Sequence, residues 1–266
     1  MSIRAGKAVF RLWVFVSCLP LILLIVLSVS IYWPYPLLLP ARVSLEFYRQ
    51  VFIGNARTLT AITTSLALAL ASSFMALAVA IPAGKALAHY SFFGKGFVRM
   101  LVLVPLIVPG VVITISSHLS MIRLGLTGTF LGVALIHSLF ALPFSIRIMS
   151  NVFEIIGTRL QEQATTLGAG PVLTFLRVTL PQIIPGALFA AVLGFTTSIA
   201  QYITTLMIGG GRIITVNMLL VPYMGSGETH IASVYSLLLI VCAIISLSLM
   251  EGVVRRFYSL GNTYYM

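Results

Sequence analysis

Five glutamates, no aspartate, four histidines and two cysteines are the carboxylate, imidazole and thiol groups that this chain of 266 residues offers for chemistry. Residues 225–230 read Gly-Ser-Gly-Glu-Thr-His, which places Ser226 and His230 beside Glu228 in the manner of a hydrolase elbow. They fall in a stretch expected outside the membrane rather than around a cavity, so hydrolysis is set aside. His118 and His137 have no carboxylate or second histidine at ligand spacing, and interhelical hydrogen bonds account for them without a metal. Cys18 and Cys242 sit inside apolar runs and read as small packing residues, not as a disulfide or metal pair. No Gly-x-x-x-x-Gly-Lys-Ser/Thr sequence occurs. Gly209, Gly210 and Gly211 precede Arg212 and Ile213, which makes a turn rather than a phosphate cradle. What remains is polar rather than catalytic: Thr197, Ser198, Gln201, Thr204 and Thr205 recur at intervals of three and four, aligning hydroxyls and one amide on a helix face. Such a stripe either ties membrane helices together or lines a translocation path.

The elements that must carry these residues follow from composition. Hydrophobic residues make up 59% and charged residues 8% of the chain, and the mean hydropathy is +1.10. A soluble domain needs a shell of roughly one quarter charged side chains, so the apolar surplus faces lipid. A formal charge of +11 would suggest nucleic acid on a soluble protein. On a membrane protein it reflects basic residues held in cytoplasmic loops, and no nucleic-acid partner is expected.

Six apolar stretches are long enough to span a bilayer as helices, at about 12–32, 59–82, 97–119, 129–148, 185–207 and 231–250. None alternates as a barrel strand would. The first is too long for a signal-peptide core and lacks a small-residue cleavage site, and Tyr32, Trp33 and Tyr35 after it form an aromatic belt. With the N-terminus inside, cytoplasmic segments hold Arg4, Lys7, Arg11, Lys85, Lys95, Arg99, Arg147, Arg159, Arg177, Arg255 and Arg256. Arg42, Arg49, Arg57, Arg123 and Arg212 are left outside. The expectation is an all-α integral membrane protein with both termini cytoplasmic and one transmembrane domain over residues 1–266. Its first helix is peripheral, its core covers about 55–250, and its longest cytoplasmic loop covers about 149–184.

Within that loop a short helix through Glu162 and Ala164 stops at Gly168. Pro171 suits the first turn of a second short helix reaching about Arg177. Val172, Leu173, Phe175, Leu176 and Val178 give that second helix more apolar surface than a solvated loop needs. By periodicity alone it either docks on a partner or lies flat on the membrane.

The loop resembles the motif of membrane subunits of type I ABC importers: Glu-Ala-Ala, three residues, Gly, nine residues, Ile, any residue, Leu-Pro. Glu162, Ala164, Gly168, Leu180 and Pro181 match in register, while Gln163 and Val178 replace an alanine and the isoleucine. Residues 167–169, 185–186 and 208–212 look most similar to the polyamine, ferric-iron and thiamine-type branch. The resemblance implies a permease fold in the bacterial cytoplasmic (inner) membrane, with coupling helices between the fourth and fifth spans. It also implies an ABC ATPase dimer that holds ATP and Mg, a second permease subunit, identical or homologous, and an extracytoplasmic solute-binding protein. Besides these partners and membrane lipid, the chain itself needs no cofactor. On this basis Gly168 makes the bend, Glu162 reaches the ATPase or a basic neighbour such as Arg159 or Arg177, and Leu167, Ala169 and Phe175 dock. The family's position equivalent to Gln201 usually carries an acid, so the amide shifts weight toward a neutral or anionic solute. The alternative is a stand-alone channel or secondary transporter, which would need an intramembrane coupling carboxylate. None of the glutamates falls in the middle of a span.

Overall fold

Apolar backbone in hydrocarbon has no water to bond, so it satisfies its own amides by coiling. The computed structural model describes residues 3–262 apart from 34, 35 and 38, and most of these are helical, with one short ladder. Tyr35 of the aromatic belt therefore lies outside the described residues.

The chain packs as two compact units, two of whose three boundaries fall inside long helices. The first joins the N-terminal segment up to Ile62 with Thr215–Cys242. It contains α1 (Ile3–Val29), an antiparallel pair of β1 (Ser30–Tyr32) and β2 (Arg42–Val43), and α2 (Glu46–Arg49) running into a π turn. It also contains α11 (Val216–Gly225) and the start of α12 (Thr229–Asn262). Its seam is polar. Tyr235, fully buried, shares its hydroxyl with Asn55 Nδ2 and Thr58 Oγ1, each at 3.1 Å. His230 stacks on Phe47, and its Nδ1 lies 3.0 Å from Ser30 Oγ. Ser226 instead donates to the Tyr223 carbonyl, so the supposed elbow residues serve separate structural bonds.

The second unit, Thr63–Ile214 with the chain from Ala243, holds most of α3 (Arg57–His89) and all of the helices up to residue 209. These are α4 (Lys95–Ile107), α5 (Gly110–Arg123), α6 (Phe130–Ile156), α7 (Arg159–Thr166), α8 (Pro171–Thr174), α9 (Leu180–Ile199) and α10 (Ile203–Gly209). Its axis is α6, whose first turn is capped by the Thr129 hydroxyl accepting from Gly132 N at 3.1 Å. One apolar core gathers Leu68, Val133, Ile136, Phe140 and Ile208, and another gathers Ala80, Leu87, Met149, Phe153 and Ile183. Gly84 lets α3 and α6 touch backbone to backbone. A Cβ there would sit 2.7 Å from Met149 Cβ and 2.8 Å from Ser150 N.

Among the described residues, four helices are long and apolar enough to cross a membrane, namely α3, α6, the run Pro171–Ile199, and Thr229–Leu249 of α12. Three expectations need correction. The third stretch is not one helix: α4 and α5 meet at a bend of 104°. Val108 is extended (ψ 133°) because a residue before proline avoids the helical region, and Pro109 starts the new direction. The fifth stretch is broken at Ala200, Gln201 and Tyr202, between α9 and α10. Finally, the separate second loop helix merges upward: α8, a π turn at Phe175–Thr179 and α9 run on without interruption. Pro181 lacks an amide hydrogen, and the widened turn before it absorbs the missing bond while Gln182 Nε2 bonds the Val178 carbonyl at 2.6 Å.

Candidate functional site

Two groups of residues stand out in the second unit, an exposed arm and a buried polar cluster. The arm is α7, its bend and α8. Leu167 closes α7, Gly168 takes the left-handed conformation (φ +86°), Gly168 N bonds Thr165 O at 2.9 Å, and Ala169 N reaches back to Ala164 O at 3.0 Å. This pair of bonds is a Schellman cap, and a side chain at Gly168 would strain it. Gly170 and Pro171 then start α8, proline filling a first-turn position that needs no donor.

None of the α7 residues is buried. Leu167 is 88% exposed, Val172 70% and Leu176 52%, so the tip of the arm is apolar and uncovered. Phe175 and Leu180 behave differently, packing on the core around Met149 and Phe153. Ala169 is half-buried, and Pro181 is exposed at the start of α9. Glu162 forms no ion pair with Arg159 or Arg177 among the described residues. It lines a cavity of about 530 Å³ together with Lys85, His89 and Thr158.

The polar cluster surrounds His137, a side chain 1% exposed in the middle of α6. Its Nδ1 lies 2.8 Å from Ser198 Oγ on α9 and its Nε2 3.1 Å from Thr205 Oγ1 on α10. Proton counting fixes the directions. Thr205 gives its hydroxyl hydrogen to the Gln201 carbonyl at 2.8 Å, so Nε2–H donates to Thr205 and Nδ1 accepts from Ser198, as a neutral imidazole does. Thr204 donates to Gln201 Oε1 at 2.9 Å and lies 3.1 Å from Thr114 Oγ1 on α5. The break at Ala200, Gln201 and Tyr202 is thereby held by the side chains that follow it. Thr197, half-buried, returns its hydroxyl to the Leu193 carbonyl at 2.7 Å. The polar stripe thus does not lie on the face of one helix: Thr197 and Ser198 belong to α9, Thr204 and Thr205 to α10, and Gln201 to the break.

A profile of the binding-protein-dependent transport system inner membrane component matches residues 76–258. The chain belongs to that family. As an ABC permease it is a multi-pass protein of the inner membrane. Over 165 residues the permease is 35% identical to the molybdenum transport system permease protein ModB of Azotobacter vinelandii, covering 57% of this chain and 73% of that one. It is 29% identical over 215 residues to ModB of Haemophilus influenzae, covering 74% of this chain and 94% of that one. A solved structure of a bacterial ABC transporter that imports the acidic polysaccharide alginate matches with a TM-score of 0.71 at 17% identity, covering 96% of this chain and 95% of that one. That likeness fixes the fold and not the solute.

The motif signal marked the arm of this permease. The interhelical hydrogen bonds expected of His137 are present, but its partners, 61 and 68 residues away in sequence, were not marked.

Proposed function

We propose that the chain is one of two permease subunits of an ATP-driven importer for a tetrahedral oxyanion of the molybdate type. An extracytoplasmic binding protein delivers the anion, and a separate ATPase dimer, which holds ATP and Mg, pulls on the α7 arm. The observation that carries this proposal is the arm itself, a rigidly capped helix–bend–helix with uncovered Leu167 at its tip. Apolar surface of this kind marks a site of protein contact. If the bent pair α4–α5 crosses as one span and the apolar stretch Trp13–Val29 as another, the spans number six, with both termini cytoplasmic.

The solute class rests on two supports. Relatives 29% and 35% identical are named for molybdenum transport, and molybdenum in neutral water is an oxyanion. The polar cluster also contains no carboxylate. Thr204 holds Gln201 Oε1, which leaves the amide hydrogens of the half-buried Gln201 to donate to a passing anion. Thr204 keeps that amide in place and Thr205 holds the Gln201 carbonyl. Alternating access follows if ATP binding draws two arms together and favours one of two states of the paired subunits.

The test is uptake of molybdate, tungstate, sulfate and spermidine into vesicles containing this chain, with its ATPase and binding protein supplied. Uptake of molybdate that needs ATP and survives a protonophore supports the proposal. Uptake that needs only an ion gradient overturns the coupling, and transport of spermidine alone overturns the solute class.

A further inference from the structure

We propose that the second unit carries a site for the phosphate group of an anionic membrane lipid, lodged between α3, α4 and α6. A cavity of about 330 Å³ opens there, within the range of small-molecule sites, about 300–1,000 Å³. It lies where α3 and α6 end and α4 begins, so it shares the arm's end of the bundle. Its polar lining is Arg99, Arg147, Ser150, Asn151 and Glu154, and much of the rest is hydrocarbon from Val102, Leu103 and Ile146.

The charges do not cancel. Arg99 Nη2 is 3.5 Å from Glu154 Oε1 and also donates to the Leu87 carbonyl at 3.3 Å. Arg147 has no acidic side chain within ion-pair distance among the described residues, which leaves one guanidinium unbalanced at the cavity. A single guanidinium with its fork of donors suits one monoanionic phosphodiester. Ser150 and Asn151 add hydroxyl and amide groups suited to a hydroxylated headgroup.

Two features favour a lipid over a free oxyanion. A free anion is best held by donors on all sides, whereas much of this cavity wall is apolar. None of the α4 residues is buried, and Met100, Leu101, Val104 and Ile107 are 65%, 57%, 39% and 70% exposed. An acyl chain leaving the cavity therefore finds hydrocarbon to lie against. Basic pockets between membrane helices bind lipid headgroups by this combination of charge and apolar contact.

The test is native mass spectrometry of the purified full-length chain, titrated with phosphatidylglycerol, phosphatidylcholine and inorganic phosphate. One phosphatidylglycerol should be retained, with the affinity lowered about tenfold in Arg147→Gln and less in Arg147→Lys. Lys95→Gln, which lies outside the cavity, should leave it unchanged. Millimolar phosphate should not displace the lipid. Equal binding by Arg147→Gln would overturn the site, and displacement by phosphate would make it a free-anion site instead. As a readout that needs no variant, a photoactivatable phosphatidylglycerol should label the wild-type peptides containing Arg99 or Arg147. Labelling confined to other helices would overturn the site as well.

Discussion

The helices α6 and α7 follow one another in the chain, yet they are made for different surroundings. Fourteen residues of α6 are buried, among them His137, Met149 and Phe153. In α7 there is none. The buried imidazole of α6 is matched inside the protein by two hydroxyls, while the side chain of Leu167, which closes α7, is left uncovered by the described residues. Burial therefore separates a member that keeps the unit folded from one that, on the proposed function, acts in contact with another subunit. Substitutions in the two should have opposite signatures, with stability lost in one and transport lost in the other.

The largest effect on folding is expected at the α3–α6 contact. Gly84→Val drives a side chain into the Met149 backbone and should cost about 3 kcal/mol, visible as lost yield and a lower melting temperature in detergent. His137→Ala comes next. It orphans Ser198 and Thr205 and leaves a hole in α6, so a loss of about 2 kcal/mol is expected in the same measurement.

Gly168→Val lies on the other side of the comparison. A left-handed β-branched residue there costs about 1–2 kcal/mol locally, but no atom crowds the position. Folding should survive, while ATP-dependent uptake falls at least ~10-fold, a coupling change of about 1.4 kcal/mol. Leu167→Glu is the smallest change in stability, within about 0.5 kcal/mol for an exposed site, and should still abolish stimulation of the ATPase. If Leu167→Glu melted early, or His137→Ala transported normally at unchanged stability, the division between the two helices would not hold.

The sequence made the apolar spans legible because bilayer thickness and hydrocarbon composition are additive along the chain. It also made the arm legible, since Gly168 and Pro171 are local signals whose backbone consequences do not depend on distant residues. The breaks were hidden. A window of hydropathy averages across Val108 and Pro109 as though nothing happened there, because residues on both sides of the bend are equally apolar. Pro105 and Pro109 look alike in sequence, yet one continues a helix and the other ends it, which neighbouring packing decides. The interruption at Gln201 has no helix breaker at all. Thr204 and Thr205 satisfy its carbonyl and amide oxygen from the next helix, an arrangement that a scan for helix faces reads as an unbroken stripe. The hydrogen-bonding role of His137 was legible but its partners were not, since only the fold brings it to Ser198 and Thr205.

The contact at Gly84 has a mechanical consequence. Helices separated by side chains can roll or slide on that soft layer, but at Gly84 the backbone of α3 rests on that of α6 at Met149 and Ser150. The pair is consequently stiff in shear at that point. A displacement delivered at the foot of α6 is passed along both helices together, as through a braced strut, and compliance must be sought at the bends.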